Sequence, residues 1–217
     1  MRPAGLNRSG TRMVHKHDRR MQSALGGVTQ SRARHDPSGI LTRRSTRVAN
    51  VYCHFSLFTR LCFLRTGPQD VPDSPVLMWS MLVLHWLLGL VLVLFSHGIG
   101  QAAATALVGT LLVVALVHGA LTFTGRPHRF SQTVTAMAGA EFMLGLLALA
   151  ITLWYYSGGS EWVASALSLL LLGWNVAVAA HIFRHALDGT PLLGVASALA
   201  YTMISYFVSG LLTGAGG

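Results

Sequence analysis

The sequence predicts an all-α polytopic membrane protein, a bundle of five transmembrane helices behind a basic N-terminal arm, and three observations carry that reading. Of its 217 residues 52% are hydrophobic and only 11% are charged, where a soluble domain carries about 25% charged residues. Five apolar runs follow one another from Pro75 onward, each meeting the roughly 20 residues that a helix needs to cross hydrocarbon. The charge is segregated: 13 of the 16 Lys and Arg lie in residues 1–74, so the whole net charge of +9 belongs to that segment. So apolar a chain has no aqueous core large enough to hide its surface, which excludes an ordinary globular enzyme.

Residues 1–50 are rich in Arg, Ser, Thr and Gly and have no hydrophobic periodicity. Such a stretch buries too little surface to offset the entropy of ordering, so a disordered arm is expected. Its composition also suits a transit peptide or a nucleic-acid tail. A plain solvated tail, or translation begun upstream of the true start at Met13 or Met21, is the simpler reading, and no nucleic-acid partner is expected.

Residues 51–74 form a lead-in that turns apolar while keeping Arg60 and Arg65. Leu57, Leu61 and Leu64 recur at helical spacing, which predicts a short interfacial helix on an anionic leaflet. Gly67, Pro68, Pro72 and Pro75 then break the chain before the first long apolar run. Cys53 and Cys62 stand apart with no CxxC pattern, so neither a disulfide framework nor a zinc site is signalled, and no cofactor is implied.

The body, residues 75–217, divides into spans at about Val76–Ser96, Gln101–Phe123, Phe130–Trp154, Glu161–Phe183 and Pro191–Thr213. The runs are continuous rather than alternating, and barrel strands are about half as long, which argues for helices. Short joints force neighbours to run antiparallel. Basic residues mark every second joint: the arm, then Arg126 and Arg129, then Arg184. By the positive-inside rule this places the N-terminus in the cytoplasm and the C-terminus outside. Trp154, Tyr155, Tyr156 and Trp162 surround a base-free joint and suit an aromatic belt on the outer face. The expected location is a bacterial inner membrane, with the C-terminus in the periplasm.

Polar groups inside the spans are costly in hydrocarbon and are therefore the candidates for function. His85, Glu141, Asn175 and Tyr201 come from four different spans, and at 1.5 Å of rise per residue all four fall roughly 12–17 Å below the cytoplasmic interface. One reading is a midplane polar cluster in which Glu141 is a protonatable acid and His85 its partner. The other is interhelical glue, each polar group hydrogen-bonding across helices. At the cytoplasmic rim, Arg126, His128, Arg129, His181, Arg184 and His185 suggest contact with anionic lipid headgroups. His181 and His185 share one helical face at i, i+4, but no carboxylate completes an HExxH pattern, so no metal site and no catalytic residue is assigned. Small residues such as Gly109, Gly139, Gly173 and the Gly210–Gly214 pair permit close helix packing, within the bundle or in a homodimer.

Three stretches carry a family resemblance: Leu61–Pro75 (LCFLRTGPQDVPDSP), Arg126–Gly139 (RPHRFSQTVTAMAG), and the segments WNVAVAAHIFRHAL and YTMISYF. With five close-packed spans, a cytoplasmic arm and a short outer tail, residues 57–213 resemble the Yip-type (Ypt/Rab-interacting) membrane proteins, in particular their proteobacterial inner-membrane relatives. The acidic-aromatic Asp-Leu-Tyr-Gly-Pro element of the eukaryotic proteins is absent, and only Gly67-Pro68-Gln69-Asp70 stands in that region. A Rab-type partner is therefore not implied.

The sequence leads first to a non-enzymatic multi-pass protein that organises membrane or binds a partner, with the bilayer, its anionic headgroups and a membrane-protein partner or second copy as its contacts. A small proton-coupled transporter or channel using His85, Glu141, Asn175 and Tyr201 is the alternative. A lipid-modifying enzyme using His181 and His185 ranks last.

Overall fold

Local chemistry marks where two of the long helices begin. The Ser74 hydroxyl accepts from Leu77 N at the head of the first, with Pro75 in its opening turn. The Thr190 hydroxyl accepts from Leu193 N ahead of Pro191 in the last. Both use a hydroxyl for an amide the helix leaves unpaired and a proline where no amide is needed. Glycine serves two turns for its conformational freedom: Gly125 (φ +71°) just after the second span and Gly158 (φ +98°) just after the third.

The structure, a computed structural model, describes residues 56–214; the basic arm expected over residues 1–50, and the start of the lead-in, lie outside them. A short helix α1 occupies residues 56–62. The spans follow as α2 (Pro75–Leu94), α3 (Ile99–Phe123), α4 (Phe130–Tyr156), α5 (Glu161–Ala186) and α6 (Pro191–Gly214). Two 3₁₀ turns, Pro68–Asp70 and Pro127–Arg129, precede α2 and α4. No strand occurs among the described residues. All five long helices are long and apolar enough to cross a membrane, so the chain is an all-α, multi-pass bundle. The expected span limits agree with the helices to within three residues at each end.

The helices pack in a closed ring. α2 lies against α3 and α4, α4 against α5, α5 against α6, and α6 against α3, while α4 also touches α3. α4 is the most buried span, and every residue from Thr133 to Ala140 on it is buried, whichever way it faces. Six of those eight are Thr, Ala or Gly, so neighbouring backbones approach closely. That is how helices associate when lipid already satisfies apolar surface. The outer surface keeps large apolar side chains exposed, among them Phe123, Trp162 and Leu192, as a lipid-facing surface requires.

The lead-in is drawn into the bundle. Phe58 is 1% and Leu61 0% exposed. The Phe58 ring sits over Gly139 of α4, where a Cβ would collide with the edge of the ring. The Cys62 thiol donates to the Ala140 carbonyl, 3.8 Å away, and the Trp174 indole of α5 donates to the Cys62 carbonyl at 3.1 Å. The segment expected as an interfacial helix thus packs on α4 and α5 at the level of Gly139, roughly 14 Å along α4 from Phe130. It then climbs to the rim, where the Thr66 carbonyl meets His181 Nε2 at 3.0 Å.

Candidate functional site

Glu141 follows the buried small-residue stretch of α4 and points into the ring of helices. The Tyr201 hydroxyl of α6 donates to its Oε1. His85 Nδ1 of α2 lies 3.5 Å from its Oε2. The side chains of His85 and Glu141 are only 20% and 11% exposed, and Tyr201 is buried. One carboxyl group therefore holds partners from two other helices, one on each oxygen. A hydrogen bond on one oxygen and an imidazole near the other help a part-buried carboxyl offset the cost of leaving water.

Beside this cluster lies a cleft of about 330 Å³. His85, Glu141, Asn175 and Tyr206 give it polar lining, and Leu144 and Leu172 stand among its apolar walls. Asn175 shares the cleft without hydrogen-bonding to the other three. Of the four midplane residues expected from the sequence, three are in contact and the fourth faces the same space. Such a site can hold a proton on a carboxyl, an imidazole or a hydroxyl within one connected group, and it has room for water or a small polar solute.

The rim residues do different things. Arg126 and Arg129 both reach Asp188 Oδ2, at 3.2 and 3.1 Å. Arg129 also donates to the carbonyls of His185 and Ala186, at 3.0 and 3.4 Å. Those carbonyls end α5 and have no amide partner within the helix, so a cation there caps them and meets the negative end of the helix dipole. The His181 and His185 rings stack edge to face with centroids 4.4 Å apart, and the Thr66 carbonyl occupies His181 Nε2. His128 and Arg184 are exposed. Much of the cationic rim is thus spent on the fold, closing the end of α5 and tying the lead-in to it.

A second polar cleft, of about 570 Å³, lies at the opposite end of the bundle from this rim. Thr152 and Tyr156 of α4 and Glu161, Ser165 and Ser168 of α5 line it. Apart from Tyr156, read as part of an aromatic belt, these residues were not singled out in the sequence, although a signal was present: Glu161, Ser165, Ser168 and Asn175 recur on one face of α5 at steps of four, three and seven.

Comparison with known proteins adds no relative: no family model, no curated protein and no solved structure matches the chain.

Proposed function

We propose that the chain is a small, non-enzymatic proton-coupled transporter or channel of a bacterial inner membrane, with Glu141 as its proton-binding group and His85 and Tyr201 as partners. The observation that carries this reading is the meeting of side chains from two other helices, His85 and Tyr201, on the Glu141 carboxyl group, beside a cleft with polar lining. Ionisable groups in a membrane interior are costly, and they recur on ion and proton pathways. Asn175 supplies a neutral donor and acceptor at the wall of the cleft. In this reading the rim carrying Arg126 and Arg184 faces the cytoplasm.

The test uses purified protein in liposomes loaded with a pH-sensitive dye, under an imposed pH gradient and potential. Wild type is expected to dissipate the gradient faster than protein-free liposomes. Glu141→Gln, close in shape, should slow this at least tenfold while thermal unfolding in detergent changes little. Equal rates for variant and wild type, or no flux from wild type, would remove the proposal. The membrane-organising or partner-binding reading would then take its place. It is supported by the same contacts, since hydrogen bonds between helices also serve a purely structural bundle.

A further inference from the structure

The cleft at Glu141 and the cleft at Glu161 both have Ser168 in their walls. On α4 their lining runs along one face, from Glu141 through Gly145, Ala148 and Thr152 to Tyr156. On α5 it runs back from Asn175 through Ser168 and Ser165 to Glu161. Both stripes keep the helical step of three or four, or a multiple of it, that holds side chains on one face, and each extends about 20 Å at 1.5 Å per residue. Gly145, Ala148, Thr152, Ser165 and Ser168 along this line are small or hydroxylated, with Leu144, Ile151 and Leu172 beside them; a glutamate stands at the far end, and Glu161, Ser165 and Ser168 are all exposed.

The other side of the cluster is sealed. Toward the Arg126 rim, Val134 and Met137 of α4, Val178 and Ile182 of α5, and Ala198 of α6 are each at most 1% exposed. The small cleft at that rim measures only about 10 Å³ and lies among Pro68, Arg129 and His185, away from Glu141.

We propose that the Glu141 cluster is reached from one end only, through a water-bearing half-channel between α4 and α5 whose mouth is at Glu161 and which conducts protons and small hydrophilic cations. This rests on the proton-coupled reading and adds the route and its side. The hydroxyls of Thr152, Ser165 and Ser168 along the path offer water hydrogen-bond partners in an otherwise apolar surrounding. The carboxylate at the mouth concentrates cations there.

The experiment is cysteine accessibility in sealed vesicles of known orientation, using a small cationic methanethiosulfonate reagent that does not cross membranes. The background is the full chain carrying Cys53→Ser and Cys62→Ser. Glu161→Cys reports the mouth, Ser168→Cys the junction of the two clefts, Asn175→Cys the deep end, and Ala136→Cys the sealed half. Ser168→Cys and Asn175→Cys should react from the Glu161 side at least tenfold faster than from the other, and Ala136→Cys from neither. Adding Ala148→Trp should slow the reaction of Asn175→Cys at least tenfold while leaving Glu161→Cys unaffected.

Reaction of Asn175→Cys from the Arg126 side would overturn the half-channel. So would its labelling by uncharged N-ethylmaleimide alone, because that is access through lipid. Ser168→Cys changes one atom, so it tests the route even if a bulkier variant does not fold. Labelling needs no transport: the route fails alone if Glu141→Gln stops flux but Ser168→Cys reacts from the wrong side. The transport reading fails alone if labelling follows this pattern and flux is unchanged by Glu141→Gln.

Discussion

Gly194 of α6 lies against the Ala180 carbonyl of α5: a Cβ on the glycine would stand 2.5 Å from that oxygen and 2.8 Å from Arg184 Cβ. The obstacle is helix backbone, which cannot swing aside as a side-chain tip does. Gly194→Ala must therefore push the two helices apart, with an expected loss of about 1–3 kcal/mol, the usual cost of overpacking. Gly210→Ala is the internal control, since nothing lies within 4 Å of its Cβ position. It should be neutral or stabilise by up to about 1 kcal/mol, because alanine favours a helix interior over glycine. Thermal unfolding of both variants in one detergent checks the contrast, and equal midpoints would contradict the close approach.

The Phe58 ring over Gly139 gives a prediction of coupling. Gly139→Ala puts a methyl where the ring stands, and Phe58→Ala empties that space at a cost of about 3–5 kcal/mol. In the double variant the methyl enters the vacated volume, so the two losses should fall short of their sum by at least about 0.5 kcal/mol. Strict additivity in unfolding measurements would show that α1 does not pack there.

The spans were legible because membrane thickness alone sets their length; no knowledge of partners is needed to see that residues 101–123 cross hydrocarbon. That His85, Glu141, Asn175 and Tyr201 share one level of the bundle followed from the same arithmetic. Rotation did not. A span apolar on all sides, such as α2, has no polar face to show which way His85 turns, and only packing turns it to Glu141. The placement of α1 was hidden for a related reason. Leu57, Leu61 and Leu64 look alike in the sequence, yet the helix ends at residue 62 and Leu64 takes φ 60°. Phe58 finds its seat only because Gly139, far along the chain, has no side chain.

Arg129 joins the end of α5 to the joint before α4. Arg129→Ala removes the cation from the His185 and Ala186 carbonyls, of which the first keeps the Asp188 amide, and loses the pair with Asp188, and about 1–2 kcal/mol of destabilisation is expected. Asp188→Asn removes charge alone from a half-exposed position, where ion pairs contribute about 0–1 kcal/mol. The ranking of the two in thermal unfolding separates capping from ion pairing; an Asp188→Asn loss as large as that of Arg129→Ala would assign the effect to charge.

Burial pushes the Cys62 thiol up from 9.0 to about 11. The unfolded chain then deprotonates first as pH rises. The contribution of Cys62 is complete below pH 9 and is lost progressively as pH climbs through about 11. Stability measured from pH 8 to 11 should fall more steeply for the native chain than for Cys62→Ser. Alkylation of Cys62 by iodoacetamide at pH 8 should also be slow until the protein unfolds, because the thiolate is the reactive form. Parallel pH profiles for the two chains would count against a buried, protonated thiol.

The Tyr201–Glu141 hydrogen bond predicts a specific thermodynamic cycle. Tyr201→Phe keeps the ring against Phe183, whose centroid lies 6.2 Å away, and deletes only the donor. Its expected cost is about 0.6–1.7 kcal/mol, from the mean to the largest value for hydrogen bonds between membrane helices. With Glu141→Leu already present the acceptor is gone, so the same change should cost less by at least about 0.5 kcal/mol. His85→Leu should couple to Glu141→Leu more weakly, since its 3.5 Å separation exceeds that of a good hydrogen bond, about 2.7–3.2 Å. Stronger coupling at His85 than at Tyr201 would reverse the roles of the two partners and make the imidazole the main support of the carboxyl group. Equal costs for Tyr201→Phe with and without Glu141 would mean that the hydroxyl does not bond to it.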